Sequence, residues 1–240
     1  MKAIDPDLLL RAYSIGVFPM ADSRAADDVY WVEPKKRGIL PLDRFQLSRS
    51  LAKTIRSDRF TVTADQAFAQ VVSECAARTA DRPDTWINPA IEVAYADLHR
   101  RGHAHSIETW HEGRLVGGLY GVRLGGAFFG ESMFSRESNA SKVALAHLVA
   151  RLRAGRFTLL DCQFITDHLR SLGAIEVSRD DYVGLLDAAM GVAGGAVGAA
   201  AGWSPADFFA LERGATDPEM RTVSGPISGC TIVQLLGQTS

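Results

Sequence analysis

Between residues 104 and 133 the chain runs through three strand-like stretches with almost nothing between them, and this leaves little choice of architecture. Ala104–Trp110, Arg114–Val122 and Gly126–Met133 are separated by His111-Glu112-Gly113 and Arg123-Leu124-Gly125-Gly126, short, turn-rich connections suited to hairpins. Apolar residues then recur at Leu145, Leu148, Val149 and Leu152 before Gly155, which predicts a helix. Another strand-like run, Phe157–Gln163, follows, with a short helix over Asp167–Leu172 that closes at Gly173, and then a last strand. A β-meander followed by helix, strand, helix and strand is an α+β pattern with a mixed sheet.

Upstream, Leu47, Leu51 and Ile55 form one apolar helical face. Asp65 is placed to cap a helix that carries Phe68, Val72 and Cys75 inward. Asn88 followed by Pro89 signals the start of a helix burying Ile91, Tyr95 and Leu98 and stopping at Gly102. A short helix over Asp7–Ile15 and the turns around Gly16, Pro19 and Pro34 read as a small amino-terminal subdomain, residues 1–37. Residues 38–186 read as the main domain. Residues 187–240 hold an Ala/Gly-rich stretch from Asp187 to Gly202 and one apolar run, Thr231–Leu236, to which the sequence assigns no role.

The 240 residues can build one sizeable core with a small appendage. No apolar run approaches the roughly 20 residues of a membrane span. The start, with Asp5, Pro6 and Asp7, lacks the apolar core of a signal peptide. Cys75, Cys162 and Cys230 are isolated from one another, as in a reduced cytoplasmic protein without a zinc site. His103 and His105 have no acidic partner at metal spacing, so both are expected to be structural and no metal is expected. A net charge of −2 argues against a general nucleic-acid coat but leaves room for a local basic patch. Arg49, Lys53 and Arg56 form such a stripe, opposite Leu47, Leu51 and Ile55. It is either a solvated surface or a phosphate-contacting one.

Two segments can carry chemistry. Gly130-Glu131-Ser132-Met133-Phe134-Ser135-Arg136, with Asn139, Ser141 and Lys142 beyond it, lies between a strand end and a helix start, where backbone amides attract anions. The alternative is a strand end with a capping serine. In Leu160-Asp161-Cys162-Gln163, Asp161 and Gln163 share one strand face, where a buried carboxylate and amide need partners. They could orient and polarise an amine, or be a satisfied structural pair.

Taken with His103–Glu108, Leu115–Val122, Thr85-Trp86-Ile87, Ala12–Pro19, Ser171–Ala174 and Asp181-Tyr182, these segments resemble the leucyl/phenylalanyl-tRNA–protein transferases over roughly residues 8 to 185. The resemblance implies a fold like the GCN5-related N-acetyltransferases joined to a small amino-terminal domain. It also implies transfer of Leu or Phe, with Met as a further candidate, from aminoacyl-tRNA to an acceptor protein's amino-terminal Arg or Lys, which marks the acceptor for degradation in the N-degron pathway. It places Asp161, Gln163 and Glu131 at the reactive centre. There Gln163, polarised by Asp161, is expected to orient the amine and Glu131 to anchor the aminoacyl-adenosine, while sequence does not assign the group that takes the proton. It gives the donor side chain an apolar pocket of Leu119, Met133, Leu152 and Leu160, and sets Trp86 by the terminal adenine. Where the family's entry motif has a tryptophan, this chain has Met20, a weaker platform for a base. With tRNA as partner, Arg49, Lys53 and Arg56 are expected to contact phosphates. No cofactor is expected.

Two other readings compete. A coenzyme A-dependent N-acetyltransferase is disfavoured because the loop Ser135–Ser141 holds no glycine to cradle a pyrophosphate. A non-catalytic tRNA- or peptide-binding module would keep the basic stripe but gain nothing from Asp161 and Gln163.

Overall fold

In the computed structural model, which describes residues 3–79, 83–191, 206–214 and 226–237, the three strand runs become the middle of a mixed sheet. Helix α1 (Pro6–Ser14) opens the chain, with the Asp5 carboxylate accepting the Asp7 N–H at 2.8 Å and a proline where its missing donor is not needed. Strands β1 (Phe18–Met20) and β2 (Tyr30–Val32) pair antiparallel as a separate ribbon. Strand β3 (Lys36–Ile39) joins the large sheet and spans the boundary placed between residues 37 and 38. Helix α2 (Arg49–Arg56), capped by Ser48, buries Leu51, Ala52 and Ile55.

Strand β4 (Thr61–Ala64), helix α3 (Phe68–Ala76) and helix α4 (Pro89–Arg100) follow. The expected Asn88 cap is present: its side chain accepts the Ile91 N–H at 3.0 Å. Gly102 ends that helix in the left-handed region. The start of α3 corrects the sequence reading, because Asp65 does not cap it. The Asp65 carboxylate is taken by the Ser106 N–H and the His105 ring at 2.8 and 2.6 Å. Glu108, from the adjoining strand, instead accepts the N–H groups of Gln66 and Ala67 at 3.5 and 3.4 Å. A tertiary neighbour supplies what the local sequence was expected to supply.

The meander is β5 (Ala104–His111), β6 (Arg114–Leu124) and β7 (Ala127–Ser135). Glu112 and Gly113 both take positive φ, 50° and 74°, as a two-residue turn matched to strand twist requires. Helix α5 (Ala140–Ala154) begins five residues before its apolar repeat, helped by the Ser135 hydroxyl, which accepts the Ser141 N–H at 3.2 Å. Strand β8 (Leu159–Gln163), helix α6 (Asp167–Arg170) and strand β9 (Ile175–Ser178) complete the expected order, and helix α7 (Arg179–Ala189), which the sequence reading did not mark, follows. The stretch expected from Asp187 to Gly202 starts within α7, and its residues 192–202 lie outside the described residues. Helices α8 (Ala210–Gly214) and α9 (Gly229–Gly237) follow, and α9 contains the apolar run Thr231–Leu236.

Among the described residues the large sheet runs β4-β5-β6-β7-β8-β3-β9, and every neighbouring pair is antiparallel except β7 and β8. Helices α2, α5, α8 and α9 share one core with Phe128 and Leu160; α1, α3, α4 and α7 share the other with Phe129 and Leu159. Consecutive side chains on a strand point to opposite faces, so Phe128 and Phe129 anchor different cores, each contributing about 2–3 kcal/mol by burial. The fold is α+β. No helix of the described residues is long and apolar enough to cross a membrane.

Candidate active site

The parallel pairing of β7 with β8 covers only Ala127–Phe129 against Leu159–Asp161. Beyond it the two strands part, and a cavity of about 450 Å³ opens in the gap. Its walls come from both cores. Leu119, Met133, Leu145, Leu148, Leu160 and Leu169 make an apolar end on the α5 side, whereas Met20, Trp86 and Tyr120 belong to the other core. Glu131 and Gln163, one from each parted strand, line the same cavity.

Glu131 is buried and held from three directions. The Tyr13 hydroxyl donates to Oε1 at 2.7 Å and the Tyr95 hydroxyl to Oε2 at 2.9 Å, with the two phenolic oxygens 2.5 Å apart. The Gln163 amide Nε2 donates to both carboxylate oxygens at 3.0 Å. Burial pushes the Glu131 carboxyl up to about 7, against the lowering effect of those donors, so it exchanges its proton near neutrality. The same burial raises both tyrosines, which stay protonated as donors.

Asp161 is tied differently. Arg37 donates Nε to both carboxylate oxygens at 2.9 and 3.0 Å and Nη2 to Oδ2 at 2.6 Å, in a pair that is almost fully buried. The Tyr182 hydroxyl donates to Oδ2 at 2.7 Å and the Gln163 backbone N–H to Oδ1 at 2.7 Å. Arg37 is clasped between the rings of Phe18 and Tyr182, 4.7 and 4.6 Å away, and gives Nη1 to the Gly16 carbonyl at 2.8 Å. The expected polarisation of Gln163 by Asp161 is therefore corrected. Asp161 reaches Gln163 only through the backbone, where it supports a left-handed residue at φ 60°, and the Gln163 side chain answers to Glu131. The aspartate holds the strand end in the shape that aims the glutamine.

Of the residues expected around the donor, Leu119, Met133, Leu160, Trp86 and Met20 line the cavity, and Leu152 does not. Leu152 is fully buried in the core, while Leu145 and Leu148, earlier on α5, face the cavity. Arg49, Lys53 and Arg56 are exposed on α2, apart from the cavity. His105 bonds Asp65 and stacks on Phe208 at 4.1 Å. Sequence reasoning missed Tyr13, Tyr95 and Arg37 as site residues. Tyr13 lay within a recognised motif and Tyr95 on a predicted buried face, but nothing local marks Arg37. It also missed Phe164 and His168 on the cavity wall; burial holds the His168 ring below the usual histidine range.

Comparison with known proteins finds matches over most of the chain. The model of the leucyl/phenylalanyl-tRNA protein transferase matches residues 39–187, and that of the leucyl/phenylalanyl-tRNA protein transferase N-terminal domain matches residues 2–35. A leucyl/phenylalanyl-tRNA–protein transferase of Rhizorhabdus wittichii is 85% identical over the whole of both chains. One from Zymomonas mobilis is 70% identical over 78% of this chain and 70% of its own. One from Afipia carboxidovorans is 55% identical over 92% of this chain and 90% of its own. Among solved structures, L-PGS from Bacillus licheniformis aligns with a TM-score of 0.38 and 14% identity, over 67% of this chain and 53% of that one.

Proposed function

Since the chain belongs to the leucyl/phenylalanyl-tRNA–protein transferase family and is an aminoacyltransferase, we propose that it moves leucine or phenylalanine, and methionine as a further donor, from aminoacyl-tRNA to the amino-terminal Arg or Lys of acceptor proteins, marking them for degradation. The observation that carries this reading is the cavity in the β7–β8 gap, where an apolar end meets Glu131 and Gln163. The apolar end suits an aliphatic or aromatic donor side chain. Trp86, Phe164 and Met20 line the same cavity and suit the terminal adenosine.

In this reading the acceptor's α-amine attacks the ester carbonyl carbon. A C–N bond forms, and the bond to the ribose oxygen breaks. The ester already carries the free energy, so the enzyme's task is alignment and proton handling. Gln163, held by Glu131 and by its Asp161-supported backbone, orients the amine. Glu131, raised to about 7, takes one proton of the ammonium near neutral pH, and the attacking nitrogen passes its second proton to the departing ribose oxygen, which leaves as a hydroxyl. Asp161, Arg37 and Tyr182 position this pair. The stripe of Arg49, Lys53 and Arg56 on α2 contacts acceptor-stem phosphates.

The purified protein, incubated with radiolabelled Leu-tRNA and a peptide beginning with Arg, is expected to label the peptide without ATP or coenzyme A. Acetyl transfer from acetyl-coenzyme A with no transfer from Leu-tRNA would reverse the assignment. Binding of Leu-tRNA with no product at all would leave a binding module in its place.

A further inference from the structure

Helix α9 lies beyond both family matches, yet it is built into the side of the molecule that carries the basic stripe. Gly229 meets the end of α2 so closely that a Cβ there would lie 1.9 Å from the Ile55 carbonyl oxygen. Its N–H donates to the Asp58 carboxylate at 2.7 Å. Ile232, Val233 and Leu236 are buried in the same core as Leu51 and Ile55. At the far end, Arg153 Nη1 donates to the carbonyls of Leu235 and Leu236 at 3.0 and 3.3 Å, and its Nε to the Leu42 carbonyl at 2.6 Å. A cation on the last carbonyls of a helix is favourable, and here it also ties α9 to the main domain.

Docked in this way, α9 and α2 wall a cleft of about 420 Å³. Phe45, Leu47, Val233 and Leu236 give it an apolar floor, and the exposed Arg49 and Arg56 stand over it. Lys53, on the same exposed side of α2, does not line it. Neither arginine has an ion-pair partner among the described residues. Seven residues separate them, about 10 Å along the helix axis, so they flank a ligand placed between them. Two unpaired guanidinium groups match a phosphate, and an apolar floor matches the carbon face of the attached sugar.

We propose that the α2–α9 cleft binds a phosphate–ribose unit of the donor tRNA backbone, so that α9 completes the tRNA-binding surface. This rests on the aminoacyl-tRNA reading above. It divides the stripe: Arg49 and Arg56 meet the tRNA in a walled site, and Lys53 meets it from open surface.

The test compares Arg49→Glu, Arg56→Glu, Lys53→Glu and Gly229→Val in the full chain, with intact Leu-tRNA and with leucyl-adenosine as donors. The readout is the ratio of kcat/KM for Leu-tRNA to that for leucyl-adenosine, over a salt series. Arg49→Glu, Arg56→Glu and Gly229→Val are each expected to lower this ratio about tenfold, and Lys53→Glu, whose phosphate contact lies on open surface, to lower it by a smaller factor of about three. The slope of log kcat/KM for Leu-tRNA against log salt should become shallower by about one in the two arginine variants. If Lys53→Glu is as damaging as the arginine changes while Gly229→Val has no effect, the phosphates follow the open stripe and the cleft proposal fails. If all four ratios stay unchanged, the tRNA does not dock on α2 at all. If Gly229→Val also loses leucyl-adenosine transfer through misfolding, the arginines compared with Lys53 still decide. Absence of Leu-tRNA transfer by the unaltered protein would instead sink the aminoacyltransfer reading.

Discussion

Glu131 is where local chemistry weighs most on the behaviour of this protein. Its folded value of about 7 lies above the ordinary glutamate value, so the folded state favours the protonated form. The associated stability is fully present below the unfolded value near about 4.3 and is lost as pH rises through about 7. Urea unfolding between pH 5 and 8 is expected to show a decline of the order of 3 kcal/mol, and Glu131→Gln to remove it. Turnover should move the other way, rising towards an inflection near 7, and the same variant should flatten that profile. The proposed mechanism sets Gln163 against the amine, so Gln163→Ala should lower turnover about 10²-fold while tRNA affinity changes little; near-normal turnover would refute that role. Asp161 and Arg37 call for a different measurement. Removing one partner of a buried ion pair strands the other, so Arg37→Ala is expected to lose about 3–5 kcal/mol of unfolding free energy, read from the denaturation midpoint. The sequence shows Asp161 and Gln163 as a polar pair on one strand face. It could not show that the carboxylate spends its bonds on Arg37, 124 positions away in the chain.

At the scale of elements, the parted strands β7 and β8 depend on how closely β6 lies against β7. A Cβ on Gly121 would sit 2.3 Å from the Phe129 carbonyl oxygen and 2.4 Å from the Phe128 ring, beside the irregularity at Tyr120 and Gly121. Gly121→Ala is therefore expected to cost about 1–3 kcal/mol by forcing β6 away from β7, and to lower turnover as well, because Tyr120 and Glu131 line the cavity from those strands. A stable variant with unchanged activity would show that the sheet relaxes freely there. The caps show what elements reveal and conceal in sequence. Asn88 and Ser48 each cap through the N–H three residues on, and the sequence reading marks Asn88. Asp65 also resembles a cap, but residues from another strand compete for its carboxylate and win. Helix α5 conceals more. From Val143 to Leu152 every residue is buried, so its apolar spacing cannot say which flank meets the cavity, and Leu148 lines it where Leu152 does not.

For the whole molecule the question is charge on one side against a net of −2. Reversing Arg49, Lys53 and Arg56 together to glutamate is expected to weaken Leu-tRNA binding at least tenfold and to make its salt dependence shallower. The three oppose the buried Leu51 and Ile55, so the fold should persist. Filter binding over a salt series with a thermal melt would check both, and unchanged tRNA affinity would remove α2 from the interface. The sequence by itself determined the order of elements from β5 to β9, the hairpin turns, the α4 cap and the family, because each is written in contacts a few residues apart or in unbroken motifs. It also singled out Glu131 and Gln163. Only the tertiary structure decided that these two bond to each other, that Tyr13 and Tyr95 hold the carboxylate, and that α9 closes a cleft against α2. Those facts depend on which distant segments meet in a low-dielectric interior, where a buried polar group must find a partner wherever the fold supplies one. Local periodicity does not encode that choice.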